Sequence, residues 1–225
     1  MCQNPGDLTL CAVHMSDATS DEASIDTGAA ATRKRPRPGE RRIQILETLA
    51  TMLEEPGAER VTTAALAARI QVSEAALYRH FASKAQMFEG LIDFIEQSVF
   101  SLVNQIVERD TDGRAQAHRI LTVLLQFGEK NPGMARVMVG DALVFENDRL
   151  LARMSQFFDR VESQLRQALR LAAEAAGSDT PTVDANVQAS VLTAFCVGRL
   201  QRFTRSGFKR LPTEQLDIAL SLLLG

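Results

Sequence analysis

Ser73-Glu74-Ala75-Ala76-Leu77-Tyr78-Arg79-His80-Phe81 decides the fold of this 225-residue chain. Ser73 is a strong helix N-cap, because its hydroxyl accepts a backbone N–H that the first turn leaves unpaired. The helix it opens carries Tyr78, Arg79 and His80, with Lys84 just beyond. That makeup fits a short helix lying in the major groove of duplex DNA. Upstream, Thr62 caps a second short helix with Leu66, Ala67 and Ile70 inward, and Gln71-Val72 makes the intervening turn. Farther upstream, Ile43, Leu46, Leu49, Ala50 and Leu53 form one helical stripe, stopped by Pro56-Gly57. Three short helices, the third following the second through about three residues, have helix-turn-helix spacing.

Ala67 is small where the second and third helices cross, and Ile70, Val72 and Leu77 supply the apolar wedge that fixes their angle. Groove-facing positions then fall at Glu74, Ala75, Ala76, Tyr78, Arg79 and His80. Tyr78 and Lys84 are placed for phosphate oxygens, as are Thr62 and Thr63, where helix N–H groups and the dipole favour anions. Any one of these side chains would ordinarily be read as a solvated or half-buried packing residue. Their joint occurrence behind the helix-turn-helix spacing reverses that reading.

The formal net charge of −3 sits oddly with a DNA reader, but it is unevenly spread. Residues 33–84 hold ten Lys/Arg against six Glu, a local +4, which leaves −7 for the remainder. Apolar residues at 45% and charged residues at 24% are ordinary for a globular protein. One Tyr and no Trp argue against a base-stacking platform. Cys2, Cys11 and Cys196 form neither a disulfide framework nor a zinc spacing, so a reducing cytoplasm is the default. Residues 1–15 lack the basic start and apolar run of a signal peptide, and no apolar stretch is long enough for a membrane helix.

Residues 1–40 read as a disordered arm, acidic up to residue 32 and basic at 33–42, with Met15 as an alternative start. The basic run is either a solvated linker or an arm that touches phosphates. Residues 41–86 form the DNA-binding head, and residues 87–225 an all-α body with no period-two segment. Ser83-Lys84-Ala85-Gln86 is a capping box that opens a long helix to about Arg109. Its apolar face comprises Phe88, Leu91, Ile92, Ile95, Val99, Leu102, Val103 and Ile106. Phe94 lies off that face with Met87 on its side, either as a partner contact or as a second packing face. Further helices are expected over about Ala115–Lys130, up to Phe145, from Leu150 to near Gly177, Val183–Ser206 and Thr213–Leu224, about nine in all. Ala189, Ser190, Ala194 and Gly198 are small residues suited either to a dimer face or to intrachain packing.

The run Thr62-Thr63-Ala64-Ala65-Leu66-Ala67-Ala68-Arg69-Ile70-Gln71-Val72-Ser73, with Leu77-Tyr78-Arg79-His80-Phe81 and Lys84, resembles the DNA-binding head of the TetR family. The resemblance implies a homodimer of all-helical subunits that reads a palindromic site on double-stranded DNA and pairs through its last two long helices. One departure stands out. The turn position that the family usually gives to Gly is Gln71 here, and a non-Gly residue at positive φ costs up to about 1–2 kcal/mol.

Body motifs narrow the resemblance: Gly128-Glu129-Lys130-Asn131-Pro132-Gly133, Phe145-Glu146-Asn147-Asp148-Arg149-Leu150, Gln164-Leu165-Arg166-Gln167 and Ser206-Gly207-Phe208-Lys209. From about residue 41 to the end, the chain is similar to the nucleoid occlusion factors among TetR-like proteins. That likeness implies a DNA-bound, nucleoid-associated cytoplasmic dimer that captures the C-terminal tail of the tubulin-like division protein FtsZ and antagonises FtsZ polymers. It implies a tail groove to which Phe94, Lys130 and Asn131 belong, with no cofactor, metal or small-molecule inducer. Leu102 and Gln126 depart from the groove pattern, where such relatives carry Arg and Gly.

The alternative is a ligand-responsive TetR-type repressor, whose cavity would draw on His118, Gln126, Asn186 and Gln188. An enzyme is not expected. His14, His80 and His118 are the only histidines, without a triad or metal partner, and no Gly-rich phosphate loop is present.

Overall fold

Helix α1, Glu40–Glu54, ends where Glu55 turns extended before a proline. A residue preceding Pro is pushed out of the helical region, so the sequence itself terminates the helix. The structure, a computed structural model, describes residues 39–55 and 60–225. The expected arm up to residue 38 and the Pro56-Gly57 stop lie outside the described residues. On α1 the buried side chains are Ile45, Leu49, Ala50, Met52 and Leu53, while Ile43 is 57% exposed. The expected stripe is thus corrected at Ile43. The core contact is centred on Leu49 and Leu53, and Ile45 lies on that side of the helix.

Two short helices follow, α2 at Thr63–Arg69 and α3 at Glu74–Tyr78. Helix α4 runs over Lys84–Arg109, α5 over Gly113–Lys130 and α6 over Pro132–Met138. After a 3-10 turn at Asp141–Leu143 come α7 at Asp148–Ala175, α8 at Pro181–Arg205 and α9 at Leu216–Leu224. The described residues contain these nine α-helices and no strand. The all-α class and the TetR-like order of short head helices before a helical body hold.

Local chemistry sets most boundaries. Ser83 caps α4 by accepting from Gln86 N at 3.2 Å. The reciprocal bond of the capping box is displaced by one residue, Gln86 Oε1 accepting from Ala82 N at 2.8 Å. Asp112 caps α5 through Arg114 N and Ala115 N, so that helix begins two residues earlier than its apolar pattern suggests. Pro181 starts α8 rather than breaking the chain, since its ring suits the first helical turn. Gln215 adopts φ 51° and delays α9 to Leu216.

In the body, α7 packs along α8 and against α5, and α4 closes the layer against α5 and α7. Met87 is fully buried, which corrects its expected place on an outward face with Phe94. Ala189 is also fully buried within the chain, leaving Ser190 and Ala194 on the exposed side of α8. Close helix approach is set elsewhere, by glycines. A Cβ on Gly113 would lie 2.0 Å from the Ala168 carbonyl oxygen, and one on Gly133 would lie 2.1 Å from that of Ala50.

The second contact docks α6 onto α1 and so joins the first head helix to the body. Gly133→Ala is expected to destabilise the fold by about 1–3 kcal/mol, because backbone rather than a flexible side chain must yield. Urea denaturation of the two proteins measures it.

Candidate nucleic-acid interface and partner groove

Both caps of the helix-turn-helix form as their sequence dictates. Thr62 Oγ1 accepts from Ala65 N at 3.1 Å, and Ser73 Oγ accepts from Ala76 N at 3.3 Å. Between them Gln71 takes φ 57°, and Val72 N donates back to the Ala67 carbonyl at 3.0 Å. The turn geometry that glycine usually supplies is therefore retained with a glutamine in the left-handed region. Leu66, Ala67 and Leu77 are buried at the crossing, and Ile70 and Val72 pack against the same core.

Past that wedge, Glu74, Ala75, Tyr78, Arg79 and His80 are exposed and Ala76 is half-buried. Tyr78 is 45% exposed. Thr63 is turned inward to its neighbour: its hydroxyl donates to the Glu74 carboxylate at 2.6 Å, tying the start of α2 to the start of α3. Lys84 is half-buried, pairs with the Glu146 carboxylate and lies 5.6 Å from the Phe88 ring centroid. Its ammonium is held by the body in this state.

Arg42 carries a contact that no sequence pattern signals. Its Nη1 donates to the His80 carbonyl at 2.6 Å, and the guanidinium lies 4.0 Å from the Phe81 ring centroid. A cation on a helix's terminal carbonyls is stabilising, so Arg42 completes the end of α3. No periodicity could reveal it, since the contact spans 38 residues.

Of the three expected groove residues, Phe94 is half-buried and packs on Phe127, ring centroids 6.2 Å apart. The Phe127 carbonyl in turn accepts from Asn131 Nδ2 at 2.9 Å, so Phe94 and Asn131 are linked through Phe127. Asn131 is 5% exposed, whereas Lys130 is exposed. Lys130 and Asn131 line a cleft of about 620 Å³ against α1, with Gln44, Glu47, Thr51 and Arg69. Phe94 does not line it. Burial pushes the Glu47 carboxyl up, and burial does the same to Glu54, opposed by the Gly133 N–H that donates to it. Leu102 is half-buried and Gln126 exposed.

The four residues considered for a ligand cavity stand apart. His118 faces Asp217 at 3.5 Å, Gln188 Nε2 donates to the Leu223 carbonyl at 2.9 Å, and Gln126 and Asn186 are exposed. Burial pushes the Cys196 thiol up to about 12, with Arg199 opposing, so it is no thiolate at neutral pH.

Residues 45–91 match the family model of bacterial regulatory proteins of the tetR family. Residues 111–225 match that of the tetracyclin repressor-like, SlmA-like C-terminal domain. The nucleoid occlusion factor SlmA of Enterobacter sp. (strain 638) is 51% identical over 178 residues, covering 79% of this chain and 89% of the relative. SlmA of Salmonella paratyphi A is 50% identical over the same shares.

The chain belongs to the SlmA family of TetR-like proteins.

Its fold is also that of more distant TetR-type regulators. The fatty acid degradation regulator FadR from Bacillus halodurans superposes with a TM-score of 0.66 at 16% identity, covering 85% of this chain and 97% of the other. The TetR family transcriptional regulator PfmR from Thermus thermophilus gives 0.65 at 20%, over 81% and 95%. At those identities the likeness concerns fold alone. SlmA-like and TetR-family proteins are regulators, and this chain is a regulator rather than an enzyme.

Gln71→Gly is expected to raise stability by up to about 1 kcal/mol, since glycine occupies the left-handed region without a Cβ clash. A rise in melting temperature checks it. Tyr78→Phe is expected to leave the melting temperature unchanged and to weaken DNA binding about tenfold through loss of a hydrogen bond to a charged phosphate. Fluorescence anisotropy with a labelled duplex measures that loss.

Proposed function

We propose that the chain is a DNA-bound nucleoid occlusion factor. As a dimer it grips a palindromic duplex with Arg79 and His80 in the major groove, and Thr62, Thr63, Tyr78 and Lys84 at the phosphates. In that state it binds the FtsZ C-terminal tail and antagonises FtsZ polymers over the chromosome, in the nucleoid-bearing cytoplasm. The observation that carries this reading is sequence identity of about one half to relatives named nucleoid occlusion factor SlmA, spanning head and body alike. A shared helix-turn-helix alone would leave the body unexplained.

Dimerisation through α7 and α8 draws support from an exposed apolar face on α8. Val183, Val187 and Val191 are 59%, 62% and 51% exposed, and a Cβ on Gly198 would meet nothing within 4 Å. Four large or small apolar positions in register along one helix leave room for a second copy to approach closely. Among the described residues no helix is long and apolar enough to cross a membrane.

The tail groove is assigned to Phe94, Lys130 and Asn131. Lys130 supplies an exposed cation, and Phe94 is joined to Asn131 through the buried Phe127, on which its ring packs. Leu102 in place of a basic residue lowers the positive charge available to an acidic tail.

Sedimentation of FtsZ polymers with this protein, with and without chromosomal fragments that it retains, tests the reading. Polymer loss is expected only when DNA is bound, and unchanged pelleting with DNA present would sink the proposal. Lys130→Glu should keep DNA retention and lose most of the FtsZ effect. It is a cleaner probe than a charge at Phe94, where packing on Phe127 would be lost as well.

A further inference from the structure

Two cations that frame the DNA-reading helices are held by one segment of the body. Lys84, the first residue of α4, pairs with Glu146, whose side chain is only 11% exposed. Arg60, two residues before the α2 cap, places its guanidinium 5.8 Å from the Phe145 ring centroid. Phe145 and Glu146 belong to the short connection between the 3-10 turn and α7, where Val144 and Phe145 are 63% and 65% exposed. Side chains so exposed bury little, so charge rather than packing ties this connection to the head. Its two ends are anchored independently: Asp141 accepts from Thr204 of α8 at 3.0 Å, and Arg149 pairs with Glu89 of α4.

An ammonium beside a carboxylate is already neutralised. A DNA phosphate brought to Lys84 must displace that carboxylate or sit beside a like charge. We propose that Glu146 occupies the phosphate position on Lys84 in the free protein, and that the DNA backbone takes Lys84 over on binding and frees the residue 144–147 connection. The proposal rests on the DNA-binding reading above. Glu146 thereby lowers DNA affinity and makes the body sense DNA. The freed connection forms part of the wall of a cleft of about 580 Å³ with Arg136, Asp141 and Arg205, so that surface changes with DNA occupancy.

Anisotropy titrations with a labelled duplex recovered from retained chromosomal fragments test this. Glu146→Gln is expected to bind about three- to fivefold tighter at low salt. The gain should shrink as ionic strength rises. In a Lys84→Gln background the same substitution should leave affinity unchanged. Hydrogen exchange of amides 144–147 should quicken when the wild-type protein binds the duplex, and should already be fast in free Glu146→Gln. Equal or weaker binding by Glu146→Gln overturns the proposal, even with a lowered melting temperature, because the pair would then be merely structural. A gain that survives Lys84→Gln overturns it too, since Glu146 would then act only as bulk negative charge. Failure of the wild-type protein to retain any duplex would remove the DNA-binding reading itself, and this proposal with it.

Discussion

The approach of α6 to α1 at Gly133 is the constraint on which the arrangement of head and body depends. Two backbones meet there with no room for a side-chain carbon, the Ala50 carbonyl lying where a Cβ would stand. Everything nearby follows from that proximity. The Gly133 N–H, one of the donors that a helix start leaves unpaired, donates to Glu54, and Arg136 reaches the Glu55 carbonyl at 3.3 Å. Lys130 and Asn131, one turn earlier, are thereby set opposite Gln44, Glu47 and Thr51 of α1. The candidate partner residues thus stand beside a wall that belongs to the DNA-reading head.

Helix α4 provides a second connection. Its first turn belongs to the head, through the Ser83 cap and Lys84, and its later turns bury Ile95, Val99 and Val103 in the body. At about 1.5 Å per residue it is a rod of roughly 40 Å, long enough to cross both regions. Its outer face carries Glu89, Asp93 and Glu96, matched by Arg149 and Arg153 on α7. The pairs open to solvent, Arg149–Glu89 and Arg153–Asp93, contribute at most about 1 kcal/mol each, while Arg153–Glu96 is half-buried. Their contribution is register. They clip the start of α7, and with it the connection bearing Glu146, to the helix whose first residue is Lys84.

What the sequence discloses and what it withholds divide along physical lines. Thr62, Ser73 and Ser83 are legible because a cap is a bond across three residues. Gln71 is legible as a turn residue because Val72 and Ser73 fix where the helix must reopen, and its positive φ follows. Ile43 is misplaced by pattern alone because a stripe of apolar residues does not reveal which edge of it meets a neighbour. Gly113, just before the expected helix start near Ala115, shows no local reason for its missing side chain; the α7 backbone lying against it supplies one. Met87 and Phe94 share a side by helical angle, yet one is buried outright and the other rests on Phe127, a difference set by α5. Lys84 reads as a phosphate contact; that Glu146 holds it depends on a contact spanning 62 residues, which no local pattern encodes.

The same contacts resolve how a chain of net charge −3 can address DNA. The local +4 already counts Glu55 against Arg69, and Glu146, from outside the head, offsets Lys84 as well. Arg42 is on the His80 carbonyl, Arg69 on Glu55, Lys84 on Glu146, and Arg60 over Phe145. Among the head's described cations, the Arg79 guanidinium is the one without a hydrogen bond, ion pair or ring contact, and it stands at the C-cap of α3. Nonspecific attraction to phosphate scales with the cations that shed counterions, and a cation already paired within the protein has fewer to shed. Arg69 pairs within the head and Lys84 with the body, so the exchange proposed at Glu146 is the point where phosphate binding and the body would meet.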